Sequence, residues 1–242
     1  MNKSDCIVFD KVTISYGAEE AVRNVSFSVP NGEVFAIVGE SGSGKSTLVS
    51  AAFGMLKQAN ISGQILLNGT DISTLSAGDW RQLRGTKISM IFQNPSAYLN
   101  PNRTVENHFK DLFRAHGESY EVSRVINMLQ FVHLTDGERI LQSYPFQLSG
   151  GMQQRLAIAL SLILKPSIVF ADEPTSALDM LVQASVLDLM KEVTQALGAT
   201  VIIVTHNIKS AAQIANSIGV MNKGQLVEVG STEEVMAFPK DE

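Results

Sequence analysis

The sequence predicts an α/β fold in which helices cover both faces of a parallel sheet, with an N-terminal antiparallel β layer and an inserted helical subdomain. Three observations predict it. Apolar runs of four or five residues at 34–38, 168–171 and 201–204 are separated by helical segments, as in strands that are buried on both faces. Short β-like runs separated by turns precede the first of them. Between about residues 95 and 147 the apolar period becomes helical.

The N-terminal segment supplies the antiparallel layer. We expect strands at residues 6–9, 12–15 and 25–29, then the buried strand at 34–38 and a helix over 46–53. A hairpin follows this helix, because residues 63–67 run into Asn68-Gly69, a dipeptide that favours tight hairpin turns.

The loop between that strand and helix reads GESGSGKS, which fits the pattern G-x-x-x-x-G-K-[ST]. Glycines let the backbone wrap around a polyphosphate, so that successive N–H groups and the helix N-terminus point at its oxygens. Lys45 would reach the β- and γ-phosphates, the Ser46 hydroxyl would ligate magnesium, and Thr47 would be a supporting donor. The predicted phosphate-binding residues of this P-loop NTPase core are Gly39, Ser41, Gly42, Ser43, Gly44, Lys45, Ser46 and Thr47.

Length and composition limit the possible classes of protein. With 242 residues, 45% of them hydrophobic, we expect one nucleotide-binding domain, its core formed by residues 1–94 and 148–242 and its helical insertion by residues 95–147. The net charge of −5 argues against a nucleic-acid partner. One cysteine, Cys6, excludes an internal disulfide and suits a reducing cytoplasm. The longest apolar stretch, residues 156–164, is far shorter than the roughly 20 residues of a spanning helix, so a membrane role would need a partner.

The second half of the chain continues the alternation. In the insertion we expect two short amphipathic helices, around residues 112–113 and 122–129. The core then resumes with a helix at 152–164, a strand at 168–171 ending in Asp172-Glu173, a helix at 180–197, a strand at 201–204 ending at Thr205-His206, and a closing hairpin with its turn at 222–224.

A second signature, LSGGMQQ at residues 148–154, opens the predicted helix there. The Ser149 hydroxyl and the N–H groups of Gly150 and Gly151 would form an anion site at the helix N-terminus. With these motifs in this order, the chain resembles the ATPase subunit of an ATP-binding cassette (ABC) transporter from Tyr16 to about residue 230. The resemblance implies hydrolysis of ATP with Mg²⁺ as cofactor.

The resemblance also implies a role for each remaining site residue. Asp172 would support magnesium, and the adjacent Glu173 would be the base that polarises the attacking water. His206 would contact the γ-phosphate, and Gln93, after a predicted strand at 88–92, would ligate magnesium or orient water. Tyr16 would stack on adenine. The implied catalytic residues are Glu173, His206, Lys45 and Gln93, and the implied metal ligands are Ser46, Gln93 and Asp172.

Partners follow from the same resemblance. Ser149, Gly150 and Gly151 would close over the nucleotide of a second ATPase subunit, identical or paralogous, in a head-to-tail dimer. Asp179, in the SALD segment, would cross the same interface. The segment after Gln93 and the helical insertion would receive transmembrane permease subunits at the cytoplasmic face of the membrane, and these would work with a separate substrate-binding protein.

Two segments narrow the resemblance. MIFQNP at 90–95 with LNP at 99–101, and ALD at 177–179 with VQA at 182–184, are similar to ATPases of dipeptide, oligopeptide and nickel importers, so the expected cargo is a peptide, nickel or a metal chelate. Asn207 departs from this pattern, in which an Asp commonly follows the histidine. Two alternatives stay open: a catalytically silent partner ATPase, which would usually lack the base or the histidine, and a soluble non-transport ABC ATPase, which would usually carry a coiled-coil insertion or two cassettes.

Overall fold

The computed structural model describes residues 5–176 and 180–238. Within these ranges the chain forms two sheets and the helices that pack on them. Asp179, the predicted interface residue, lies outside the described residues.

The first sheet is antiparallel, with the strand order β2-β1-β4-β5. Its strands are β1 (Asp5–Tyr16), β2 (Glu19–Pro30), β4 (Asn60–Leu67) and β5 (Thr70–Asp71). The prediction of separate strands at 6–9 and 12–15 was wrong, because β1 continues through a bulge in which Lys11 has a φ of 50°. The predicted turn joins β4 to β5, with Asn68 and Gly69 both at positive φ.

The second sheet has the strand order β10-β9-β3-β8-β7-β6. Its strands are β3 (Val34–Val38), β6 (Ile88–Ile91), β7 (Ile168–Asp172), β8 (Thr200–Thr205), β9 (Ser217–Asn222) and β10 (Gln225–Ser231). Among these described strands, β9 and β10 form the one antiparallel pair, a hairpin that closes the sheet, and the other pairs are parallel. The predicted parallel sheet, antiparallel layer and closing hairpin are therefore confirmed.

The parallel strands separate two apolar layers. Along β7, Ile168 and Phe170 join a cluster that contains the antiparallel sheet and α1 (Lys45–Ala52). Val169 and Ala171 join the cluster on the opposite face, which the larger helices build. Because successive side chains of a strand point to opposite faces, a strand covered on both sides must be apolar at every position.

The helices of the second layer include the insertion. They are α3 (Val105–Ala115), α4 (Val122–Phe131), α5 (Gly137–Gln142), α6 (Gly150–Leu162) and α7 (Met180–Leu197). The two expected amphipathic helices are α3 and α4, whereas α5 has only six residues and too few turns to show a period. Phe109, Phe113 and Leu129 are fully buried with residues of α6, so the insertion shares its apolar cluster with the core.

Besides α5, three further short helices lie outside the predicted set: α2 (Ala77–Leu83), α8 (Ile208–Ile214) and α9 (Thr232–Ala237). Each begins at a side-chain N-cap, from Ser76, Asn207 and Ser231 respectively. Capping residues were therefore the available signal for helices too short for a periodic pattern. In the part of the chain that the structure describes, no helix has both the length and the apolar character needed to cross a membrane.

Candidate functional site

The register of the strands brings the predicted site residues to one edge of the second sheet. Val38, at the end of β3, pairs with Thr205 at the end of β8, and Asp172, at the end of β7, pairs with Val204. The segments that follow these strands therefore emerge side by side, together with the segment after β6. They carry the phosphate loop, Gln93, Glu173 and His206.

The phosphate loop is packed so closely that two of its glycines cannot be replaced. A Cβ at Gly39 would lie 2.1 Å from the carbonyl oxygen of Met221, and a Cβ at Gly44 would lie 2.5 Å from that of Ala21. Gly44 also has a φ of 97° immediately before α1, a conformation that other residues rarely adopt. The fold therefore requires glycine at both positions, independently of any ligand.

Lys45 is 4% exposed and ties the loop to itself. Its Nζ donates to the carbonyl oxygens of Gly39 at 2.8 Å and Glu40 at 2.6 Å, and it lies 3.3 Å from the Ser43 hydroxyl. Burial lowers the pKa of the Lys45 ammonium, and the neighbouring carboxylates of the Asp172-Glu173 pair act in the opposite direction. Lys45 is thus a positive charge held inside the loop by groups that a phosphate could replace.

Ser46 and Asp172 form a second pair beside the loop. The Ser46 hydroxyl donates to Asp172 Oδ1 at 2.8 Å, although 126 residues separate them in the chain. Burial raises the pKa of Asp172, and the charge of Glu173 acts in the same direction, whereas the Ser46 hydrogen bond and Lys45 lower it. The pair therefore offers oxygen atoms in a partly desolvated position where added positive charge would be stabilising.

Glu173 is held by residues from three segments. Its backbone has a φ of 44°, unusual for a residue with a side chain, and its N–H donates to the carbonyl oxygen of Val204 at 2.9 Å. Glu173 Oε1 lies 3.1 Å from His206 Nδ1, and Glu173 Oε2 lies 3.4 Å from Gln93 Nε2. Gln93 Nε2 also donates to the Ser176 hydroxyl at 2.9 Å. Glu173 thus contacts two of the other three predicted catalytic residues, His206 and Gln93.

A cavity of about 310 Å³ lies between the phosphate loop and this network. It is lined by Ala21, Ser41, Gly42, Gly44, Lys45, Ser46, Thr47, Gln93 and Glu173. Tyr16, at the end of β1, is 42% exposed and is not among the described residues that line the cavity. The structure therefore gathers most of the predicted phosphate-binding residues but leaves the predicted adenine-stacking ring outside.

The second signature lies apart from this cavity. Ser149 caps α6 by accepting a hydrogen bond from the Met152 N–H at 3.3 Å. A Cβ at Gly151 would lie 2.9 Å from Val182 Cγ1, so packing within the chain explains that glycine. At Gly150 a Cβ would meet nothing within 4 Å, and its φ is not positive. Nothing in the described chain therefore requires glycine at position 150.

Two residues of the site were missed from the sequence. Ala21 contributes a backbone carbonyl and part of the cavity wall from β2, and nothing in its side chain could signal this. Ser176 begins the SALD segment that was predicted to cross the interface, but the contact of its hydroxyl with Gln93 has no signal in the sequence.

Comparisons with known proteins agree with the geometry. The model of the ABC transporter family matches residues 22–176. The chain is 40% identical over 227 residues to the oligopeptide transport ATP-binding protein OppD of Lactococcus lactis subsp. cremoris, covering 92% of this chain and 67% of that protein. It is 41% identical over 230 residues to the dipeptide transport ATP-binding protein DppD of Bacillus subtilis, covering 93% and 69%. The chain thus spans about two thirds of the length of these relatives.

Solved structures extend the comparison. The dimeric structure of a post-hydrolysis state of the ATP-binding cassette MJ0796, bound to ADP and Pi, is similar to this chain with a TM-score of 0.81 at 29% identity. The match covers 93% of this chain and 98% of that one. The likeness includes both the fold and the sequence.

Proposed function

Because the chain belongs to the ABC transporter family, we propose that it is the subunit that hydrolyses ATP for an import complex carrying peptides. One observation carries the proposal: the phosphate loop and Glu173, which follow β3 and β7 at one edge of the same sheet, line one cavity of about 310 Å³, and Asp172 contacts the loop through Ser46. The relatives are oligopeptide and dipeptide transport proteins, which favours peptides over nickel or metal chelates as cargo.

The phosphate loop binds the polyphosphate of the nucleotide. The first turn of α1 presents unpaired N–H groups and the positive end of the helix dipole toward the cavity. Lys45 exchanges its contacts with the carbonyl oxygens of Gly39 and Glu40 for phosphate oxygens, which are charged and therefore stronger acceptors. The ammonium then neutralises charge that develops during phosphoryl transfer.

The residues beside the loop fit a magnesium ion. Ser46 Oγ, Asp172 Oδ1 and the carbonyl oxygen of Gln93 are hard oxygen donors, the type that Mg²⁺ prefers. Ser46 and Gln93 line the cavity, and Asp172 lies within hydrogen-bond distance of Ser46. When bound, magnesium would neutralise phosphate charge during hydrolysis. The raised pKa of Asp172 supports this assignment, because an added cation would stabilise its charged form.

Glu173 is the proposed general base. Its side chain is 18% exposed and lines the cavity, so it can accept a proton from a water near the γ-phosphate. His206 Nδ1 holds one of its carboxylate oxygens at 3.1 Å. Since the His206 side chain is 57% exposed, its other ring nitrogen is accessible, and in the imidazolium form it can donate to a phosphate oxygen while Nδ1 donates to Glu173.

The second signature supports a head-to-tail dimer. Ser149 and Gly150 do not line the cavity of their own chain, and glycine at position 150 has no explanation within the described chain. Glycine in a helix costs roughly 1 kcal/mol relative to alanine, so close approach of an outside group is the physical reason to keep it. The nucleotide of a second ATPase subunit, identical or paralogous, is the proposed group, and Asp179 belongs to the same proposed interface.

The segment after Gln93 suits a docking site for transmembrane permease subunits. Tyr98 packs on Phe92 with their ring centroids 5.3 Å apart, and the Asn100 N–H donates to His108 of α3 at 3.0 Å. Force applied to the helical insertion, residues 95–147, would therefore reach Gln93 through packed side chains. The proposed location of the chain is therefore peripheral, at the cytoplasmic face of the membrane, with a substrate-binding protein acting through the permease.

ATP turnover by the purified chain tests the proposal, with Glu173→Gln beside the wild type and Glu138→Gln, on an exposed turn of α5, as control. Loss of a general base should lower kcat by about 10²- to 10⁴-fold while nucleotide binding persists. Molecular mass is measured with and without ATP and Mg²⁺, because the trapped variant should form an ATP-dependent dimer.

The outcomes separate the alternatives. Turnover and an ATP-dependent dimer support the proposal. A wild type that binds ATP without turnover, even when co-purified with permease subunits, would indicate the catalytically silent partner. A chain that does not bind ATP would contradict the nucleotide site itself.

A further inference from the structure

The Ser176 hydroxyl takes part in two hydrogen bonds, one as a donor and one as an acceptor. The hydroxyl donates to the backbone carbonyl oxygen of Glu173 at 3.2 Å. Because a serine hydroxyl has one proton, its remaining capacity toward other groups is as an acceptor. Gln93 Nε2 lies 2.9 Å from this oxygen and supplies the donor.

The same end of Gln93 faces a second acceptor. Its Nε2 lies 3.4 Å from the carboxylate oxygen Oε2 of Glu173. An amide has its donor and its acceptor at opposite ends, so two acceptors on one side select the NH₂ end for that side. The carbonyl oxygen of Gln93 is therefore left for the other side, in a side chain that lines the nucleotide cavity.

We infer that Ser176 is a positioning residue that turns the carbonyl oxygen of Gln93 toward the nucleotide cavity. This inference rests on the proposed function, because that oxygen is useful there as a ligand for a hard cation or as an acceptor for water. Without the Ser176 hydroxyl, one of the two acceptors that orient the amide is lost, and the NH₂ end can face the cavity, where it would repel a cation.

The inference separates Ser176 from a residue that only stabilises its turn. The turn already has a backbone hydrogen bond, from the Ser176 N–H to the carbonyl oxygen of Glu173 at 3.3 Å. Ser176 is exposed, so removing its hydroxyl should leave the fold intact. Its effect should instead pass through Gln93.

Magnesium-dependent nucleotide binding tests this. Affinity for the non-hydrolysable analogue AMP-PNP is measured with and without Mg²⁺ by calorimetry on the whole chain. In Ser176→Ala the gain in affinity that Mg²⁺ gives should fall by about three- to tenfold, the worth of one hydrogen bond, while affinity without Mg²⁺ stays at the wild-type value. Ser176→Thr, which keeps the hydroxyl, should restore the gain. Ser210→Ala is the matched control, because Ser210 lines a second cavity of about 100 Å³ together with Glu173 and Ser176.

A double-mutant cycle decides whether Ser176 acts through Gln93. In a Gln93→Ala background, Ser176→Ala should have no further effect on the magnesium gain. An additive effect there, or a full magnesium gain in Ser176→Ala, would overturn the inference alone. If Mg²⁺ gave the wild type no gain in affinity, the proposed metal site would fail and this inference with it.

Discussion

Asp172 shows how single residues of the site are held in unfavourable states before any ligand arrives. Its carboxylate is partly desolvated beside Glu173, which raises its pKa, and Ser46 donates the hydrogen bond that partly compensates. Lys45 is similarly buried, and its ammonium donates hydrogen bonds to backbone carbonyl oxygens. A nucleotide with its metal would relieve both, so part of the stability of the isolated fold is given up for binding.

Asp172→Asn should therefore stabilise the ligand-free chain at neutral pH by about 0.5–1 kcal/mol while abolishing magnesium-dependent nucleotide binding. The raised pKa means that ionisation costs free energy in the folded state, so the penalty is full above that pKa and disappears below the ordinary value of 3.8. Urea unfolding at pH 7 and at a pH below 3.8 measures the change, with Asp188→Asn on α7 as control. A gain that stayed constant with pH would contradict the burial argument.

At the scale of elements, short capped helices carry site residues into place. α8 follows His206 directly, and Asn207 caps it by accepting a hydrogen bond from the Ser210 N–H at 3.1 Å. The departure noted in the sequence, Asn where Asp is common, thus has a structural explanation, because the side-chain oxygen of either residue can make this bond.

Asn207→Ala should lower the free energy of unfolding by about 1 kcal/mol, the usual loss for an N-cap, and Asn207→Asp should preserve it. Thermal and urea unfolding of the three proteins measure the difference. ATP turnover is followed in parallel, since fraying of α8 should loosen His206 and lower turnover in the alanine variant. Equal stability of the two variants would show that the cap is not what selects Asn207.

At the scale of the whole molecule, the two proposed phosphate-binding sites lie at different places on the chain. The loop around Lys45 borders the cavity, whereas the N-terminus of α6, with Ser149 and Gly150, does not. Ser149 and Gly150 would therefore have to act on the nucleotide of another chain if they bind phosphate as proposed, which is the structural argument for a second subunit.

Gly150→Ala should leave the isolated chain as stable as the wild type or up to about 1 kcal/mol more stable, since alanine is the better helix former. It should weaken the ATP-dependent dimer of the Glu173→Gln background by at least about tenfold, because the added methyl group meets the partner's nucleotide. Gly78→Ala in the first turn of α2 is the control, because a Cβ there would lie 3.6 Å from Ser76 Oγ, an ordinary van der Waals distance. Light scattering with ATP checks the result, and an undisturbed dimer would contradict the head-to-tail interface.

The order of strands and helices could be predicted from the sequence because it follows from local patterns. Apolar runs buried on both faces marked the strands at 34–38, 168–171 and 201–204, and the Asn68-Gly69 turn marked its hairpin. The helix α5 and the bulge at Lys11 could not be predicted in this way, because six residues show too little period and a bulge depends on the partner strand.

The sequence by itself determined which residue types lie in the loop, and the spacing of its glycines with Lys45 and Ser46 predicts that the loop binds a polyphosphate. Only the tertiary structure decided which distant residues meet. The bond from Ser46 to Asp172 spans 126 residues and that from Gln93 to Ser176 spans 83, distances along the chain that no local pattern encodes. The register of parallel strands brings them together, because their carboxyl ends share one edge of the sheet.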